Sequence, residues 1–310
     1  MKKPIPPEML TTEVLMEPPF DQLEMPGISD LTTGAGSGAG SGTETRLLAR
    51  GEWSAACEFH PLNPLEVLNQ VRSRVVLAGK PVVLLDLDST LYQVEPRSHQ
   101  ILKEWLDSTV SQRFVEERER LSHLDESHVG YSVRDTWISL GLDPTVGSGA
   151  QALDSVKKFW SDRFFRNEWL RWDRPYLGAA EYVRGLHQDG AQIVYLTGRD
   201  EDGMRLGTEA NLVRDGFPSG HSSIRLWMKP SKNVSDLVFK KTAAERLRRL
   251  GVLVASFENE PHNLAGLQAL YPEAMHVFMD TLCSDRPTSV CRGLYRIRSF
   301  EPVLQKTRKL

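Results

Sequence analysis

Four short apolar runs constrain this chain more than any other feature. They are Val82-Val83-Leu84-Leu85, Gln192-Ile193-Val194-Tyr195-Leu196, Val252-Leu253-Val254-Ala255-Ser256-Phe257 and Met275-His276-Val277-Phe278-Met279. None alternates clearly between apolar and polar residues, so each reads as a strand covered on both faces, as in a parallel sheet. A fifth run, 224–228, is less apolar. Helical patterns with stop signals lie between them: 178–187 before Asp189-Gly190, 204–214 before Gly216-Phe217-Pro218, 235–250 before Gly251, and 261–270 before Pro272. Strand and helix thus alternate from 177 to 279. That order implies right-handed crossovers and an α/β fold, a doubly wound parallel sheet of Rossmann-like type with helices on both faces. An amphipathic helix carrying Leu65, Leu68, Val71 and Val75 enters at Pro64 and stops at Gly79-Lys80-Pro81, just before the first strand.

The interval 93–173 breaks the alternation. It is dominated by helical stretches at 99–121 and 152–172 with a Gly/Pro/Ser loop at 141–149, and an all-helical insertion after the first strand accounts for it. Such an insertion would sit over the sheet edge where ligands bind. The aromatic residues Trp160, Phe164, Phe165, Trp169 and Trp172 have spacings that favour packing inside the insertion over a lid facing substrate. Residues 1–45 are rich in Pro, acidic residues and a Gly/Ala/Ser/Thr tract, a composition that cannot offset chain entropy by burial. They are expected to form a disordered tail or linker, passive rather than a docking peptide for a protein partner built on Leu15, Met16 and Phe20. The expected organisation is therefore a tail at 1–45, a core of 46–92 and 174–310, and a helical insertion at 93–173.

Lys and Arg total 38 against 41 Asp and Glu, which gives no electrostatic sign of a nucleic-acid or membrane partner. The charged runs 115–120 and 245–249 read as solvated helix faces. No run approaches the ~18 apolar residues of a membrane span. Pro4, Pro6, Pro7 and Glu8 stand where a signal peptide needs an apolar stretch. The three cysteines form no CxxC pair and no even disulfide framework, and a cytoplasmic location is expected. The eight histidines show no paired ligand spacing.

In an open parallel sheet, ligands bind beyond the carboxyl ends of the strands. The residues found there are Asp86 and Asp88, then Thr197-Gly198-Arg199-Asp200, then Glu258-Asn259-Glu260. Two carboxylates one residue apart suit a nucleophile and a proton shuttle; with Glu258 they make a hard oxygen cage suited to Mg²⁺. The cation would offset repulsion between an anionic nucleophile and an anionic phosphate.

These segments resemble the haloacid dehalogenase superfamily of phosphohydrolases. Leu84-Leu85-Asp86-Leu87-Asp88-Ser89-Thr90-Leu91 is similar to its first motif, Val194-Tyr195-Leu196-Thr197-Gly198-Arg199 to its second, and Phe257-Glu258-Asn259-Glu260-Pro261 to a variant of its acidic fourth. The similarity spans roughly 63–285, and the insertion resembles the family's C1-type cap. The resemblance implies that Asp86 is the nucleophile and forms an aspartyl-phosphate. Asp88 would protonate the leaving alcohol and then activate water, while Thr197 and Gly198 contact the phosphoryl group. Asp86, Asp88 and Glu258 would hold Mg²⁺, with Glu260 as second choice after Glu258. The phosphate-neutralising lysine falls on Lys240, with neighbouring Lys241 and the more distant Lys229 as alternatives. The expected activity is magnesium-dependent hydrolysis of a small phosphate ester. Phosphotransfer, nucleic-acid end processing and a phosphate-responsive binding module without turnover are the alternatives.

Overall fold

The computed structural model describes residues 47–145 and 147–301. Its strands, in chain order, are β1 Leu47–Leu48, β2 Pro81–Leu85, β3 Tyr92–Gln93, β4 Arg174–Pro175, β5 Gln192–Asp200, β6 Ile224–Lys229, β7 Val252–Glu258, β8 Met275–Met279, β9 Thr288–Ser289 and β10 Tyr295–Ile297. Its α-helices are α1 Arg50–Ala56, α2 Pro64–Leu77, α3 Glu95–Asp107, α4 Val115–Leu121, α5 Val133–Ser139, α6 Gly147–Phe164, α7 Ala179–Gln188, α8 Glu201–Arg214, α9 Asp236–Leu247 and α10 Pro261–Leu270. The expected tail at 1–45 lies outside the described residues.

Six strands form one sheet in the order β10-β8-β7-β2-β5-β6, and every pairing in it is parallel. The doubly wound α/β fold expected from the apolar runs is the fold found. From β2 the chain winds outward through β5 and β6, then returns to the other side of β2 for β7, β8 and β10. The strand order therefore reverses at β2. Alternate side chains, among them Val83, Leu85, Ile193, Tyr195, Phe257 and Val277, join a core with Val67, Val71 and Val75 of α2 and Val183 and Leu186 of α7. Helix α9 lies against β5 and β6, and α10 against β7 and β8. Phe278, which points the opposite way to Val277, packs with Leu264 of α10 and Trp53 of α1.

Local chemistry sets the helix ends. Asn63 and Glu66 form a capping box at the start of α2, with Pro64 in the first turn. The chain then turns through Lys80 at φ 55° into Pro81 of β2. The edge strand β10 escaped the sequence reading because its three residues carry no periodic signal.

Strands β3 and β4 pair antiparallel, so the chain leaves and re-enters the sheet region through one short ribbon. Helices α3 to α6 lie between them and share an apolar cluster that includes Trp105, Phe114, Leu121, Trp137, Leu153 and Val156. The helix expected over 99–121 is two helices, α3 and α4, with a 3-10 turn at Thr109–Ser111. Serines divert the backbone there: Ser108 Oγ donates to Trp105 O at 2.6 Å and Ser111 Oγ to Leu106 O at 2.9 Å. The stretch expected as helix over 152–172 begins earlier, as α6 at Gly147, and gives way after Phe164 to a 3-10 segment at Asn167–Trp172.

Candidate functional site

The reversal of strand order at β2 opens the crevice in which this fold gathers its functional groups. Asp86 follows the last residue of β2, and its backbone N–H donates to Phe257 O of β7 at 3.1 Å. The next residues curl tightly: the N–H groups of Leu91 and Tyr92 donate to Leu87 O at 2.8 and 2.9 Å. Ser89 adopts φ 57°, and its N–H donates to Tyr92 O at 2.7 Å. A left-handed serine costs strain, and folds tolerate such strain most often where it serves a site.

Helix α9 delivers Lys240 to the floor of the crevice. Its Nζ donates to Asp86 Oδ1 at 2.6 Å and to Glu258 Oε2 at 2.8 Å, and all three side chains are buried. Among the three lysines considered, Lys240 alone is placed this way: Lys241 is exposed and Lys229 stands at the cavity wall. The two glutamates also separate. Glu258 faces Lys240, and its other oxygen accepts the Glu260 N–H at 3.1 Å. Glu260 turns away to accept from Ser284 N and Oγ at 2.9 and 2.6 Å. Burial alone would raise the Glu260 carboxyl, but His262 and the Ser284 donors outweigh it and hold it below the usual carboxylate range.

One ammonium thus serves two buried carboxylates. Burial first, and then the Glu258 charge, push the Asp86 pKa up to about 8 against the pull of Lys240. Burial opposes the Lys240 charge, but Asp86 and Glu258 overcome it and hold the ammonium firmly protonated. With both carboxylates ionised, the group lacks one positive charge.

Asp88 faces elsewhere. It pairs with Arg199 and, at 3.2 Å, with Arg97 of α3. Both guanidiniums also pair with Asp173, Arg97 at 2.8 Å and Arg199 at 2.7 Å. Arg97, Arg199 and Asp173 are almost fully buried, whereas the Asp88 side chain is 32% exposed, into the cavity. Burial would raise Asp88, but Arg199 and Arg97 win and hold it below the usual carboxylate range. Asp173 is the more deeply buried partner, and burial pushes it up to about 6 despite the same arginines. Two guanidiniums balance two carboxylates here.

The three-carboxylate cage anticipated from Asp86, Asp88 and Glu258 is therefore not assembled, because Arg97 and Arg199 draw the Asp88 side chain away. Among the described residues, no three His, Cys, Asp or Glu side chains come together as a metal-binding group. Thr197 is buried in the second half of β5, where its Oγ1 accepts the Arg199 N–H at 3.2 Å; beside it Gly198 lines the cavity. Asp200 caps α8, accepting the Gly203 N–H at 2.8 Å. Asn259 accepts from Thr90 Oγ1 at 3.2 Å and donates to Leu282 O at 2.6 Å, tying the β2 loop to the β7 turn.

Sequence reasoning missed the Arg97–Asp88–Arg199–Asp173 cluster. Arg199 carried a signal, since it follows Thr197-Gly198 at a strand end. Arg97 and Asp173 carried none, because only the folded insertion brings them to Asp88.

Asp86, Asp88, Thr197, Arg199 and Lys240 open on a cavity of about 920 Å³ between the strand ends and the helical insertion. Trp160, Phe164 and Phe165 line its wall. The expectation that these rings pack inside the insertion holds in part for Trp160, which packs against the cluster of Trp105, Phe114 and Trp137 and also lines the cavity; Phe164 and Phe165 lie outside that cluster and face the cavity. Among the described residues, no helix is long and apolar enough to cross a membrane.

No protein-family model matches the sequence, and no curated protein matches it. Solved structures do. A candidate phosphatase from Clostridium difficile is 13% identical, with 73% of this chain and 97% of that one covered at a TM-score of 0.43. Protein tyrosine kinase A from Mycobacterium tuberculosis is 14% identical, with 76% and 100% covered at 0.42. A candidate haloacid dehalogenase-like hydrolase from Burkholderia xenovorans is 12% identical, with 73% and 98% covered at 0.40.

Proposed function

We propose that the protein is a magnesium-dependent phosphohydrolase of the haloacid dehalogenase type, acting on a small phosphate ester, with residues 93–173 as its cap. The observation that carries this reading is Asp86 itself: a buried carboxylate at the strand-order reversal, 2.6 Å from Lys240 and facing a cavity. In the first step an Asp86 oxygen attacks phosphorus and the ester P–O bond breaks, leaving a phosphoryl group on Asp86. In the second, water attacks that phosphorus and returns Asp86 as carboxylate. Lys240 holds Asp86 in line, and the Thr197 hydroxyl and the backbone at Gly198 bind phosphoryl oxygens.

The donor set fits a hard cation. Two buried carboxylates share one ammonium, and Mg²⁺ is commonly held by one or two carboxylates together with water and substrate oxygens. Asp86 and Glu258 would hold the ion, and its charge would offset that of the incoming phosphate. Asp88 is not needed as a third side-chain ligand. It gives a proton to the leaving oxygen in the first step and takes one from water in the second, and its two arginines favour the anion it becomes between the steps.

The same arginine clasp lends support to a second reading, a module that binds phosphate esters without turning them over. Phosphate release from a panel of esters in the presence of Mg²⁺ separates the two. We expect turnover that Asp86→Asn abolishes; binding with no release across the panel would favour the module, and release unaffected by Asp86→Asn would sink the assigned nucleophile.

A further inference from the structure

The wall opposite Asp86 has an ordered chemistry. Helix α6 turns Lys157, Trp160, Ser161 and Phe164 into the cavity, the spacing that puts side chains on one helix face. Phe164 lies at the inner end, where the Arg97 guanidinium that reaches Asp88 sits 3.9 Å from its ring centroid. Trp160 comes next, stacked on Phe164 at 4.2 Å and held by a 3.0 Å hydrogen bond from Nε1 to Ser98 Oγ. Lys157 is exposed at the outer end, roughly 10 Å from Phe164 at 1.5 Å per helical residue. Arg134 of α5 lines the same cavity. Among the described residues, the insertion contributes these two cations and no carboxylate to the wall. The acids that do line it, Asp86, Asp88, Asp200 and Glu260, lie at the strand ends and are already paired or capping.

From the strand ends outward, the cavity therefore offers a phosphate site, then aromatic rings, then positive charge. We infer that the substrate is an aryl phosphate carrying a second acidic group on the far side of its ring: phosphate at Asp86, ring against Trp160 and Phe164, acid at Lys157 and Arg134. The inference rests on the phosphatase reading for the place of the phosphate. The aromatic wall selects a ring over a sugar by burying apolar area and stacking, and the outer cations select the acid over a neutral end.

Four esters test it: N-acetyl-O-phosphotyrosine, its C-terminal amide, glycerol 3-phosphate and a hexose bisphosphate. Phosphate release with Mg²⁺ and calorimetric binding are both measured on the full chain. The acid should exceed the amide by about tenfold in kcat/KM and in affinity, the worth of one charge-assisted contact. Both aryl esters should exceed glycerol 3-phosphate by about tenfold or more. Lys157→Gln with Arg134→Gln should bring the acid down to the level of the amide and leave the amide unchanged. Trp160→Leu, which keeps an apolar side chain, should lower both aryl esters through KM and leave the hexose bisphosphate unchanged. An amide bound as well as the acid, or a hexose bisphosphate preferred to both aryl esters, overturns the inference. If nothing is hydrolysed but the binding order holds, the phosphatase reading falls and the assigned ligand chemistry stands.

Discussion

Lys240 is the residue on which the site's electrostatics turn. It is the one ammonium between Asp86 and Glu258, and all three are buried. Removing one partner of a buried ionic group leaves charge without compensation. Lys240→Met is expected to cost about 3–5 kcal/mol in urea denaturation without added metal. Part of that loss should return as Mg²⁺ is added, since a cation replaces the missing charge. His276, buried in β8, is a second sensitive residue. Its Nδ1 faces Ser256 Oγ at 2.8 Å and its Nε2 faces Tyr271 O at 2.8 Å. A carbonyl only accepts, so Nε2 carries the proton, the hydroxyl donates to Nδ1, and the ring is satisfied as the neutral form. Burial holds its pKa below the ordinary 6.5 in the folded state. As pH falls past that value the unfolded chain takes up the proton first, so stability present above it is lost on the acid side. For one proton the slope cannot exceed about 1.4 kcal/mol per pH unit. Urea midpoints at a series of pH values should show this decline, and in His276→Gln the pH dependence should flatten.

At the scale of elements, strand and helix identities were legible because their signals are local. The apolar runs and the capping residues need no distant partner to be read. Boundaries inside the insertion were not, because serine side chains at 108 and 111 and the break after Phe164 decide them. The start of α7 shows how tightly a junction can be determined. Gly178 precedes it at φ 83°, and a Cβ there would lie 2.3 Å from Phe300 O. Gly178→Ala should cost about 1–3 kcal/mol from backbone conformation alone, with the clash added, and thermal denaturation of the variant will measure it.

Within one compact unit, the sheet and the insertion keep separate apolar clusters. They meet at the short β3–β4 ribbon, at the polar clasp in which Arg97 of α3 pairs with Asp88 and Arg199 with Asp173, and where the 3-10 segment Asn167–Trp172 lies on α8 with Leu170 packed against Met204 and Met228. Arg97→Ala is therefore expected to speed amide exchange across α3 to α6 while leaving the protection of β2, β5 and β7 unchanged; equal loss in both would show that the clasp does not separate them. The sequence by itself determined the parallel sheet, the helical insertion and the presence of Asp86, Thr197, Lys240 and Glu258 at strand ends or on the helix feeding β7. Those features follow from apolar runs, helical periodicity and chain order, which are properties of neighbouring residues. Only the tertiary structure decided that Lys240 rather than Lys229 meets Asp86, that Glu258 rather than Glu260 shares it, and that Arg97 and Arg199 turn Asp88 away from a three-carboxylate cage. It also decided that Trp160 and Phe164 face the cavity. Each depends on groups far apart in the chain meeting in a medium of low dielectric, where the nearest opposite charge or apolar surface settles a side chain's direction.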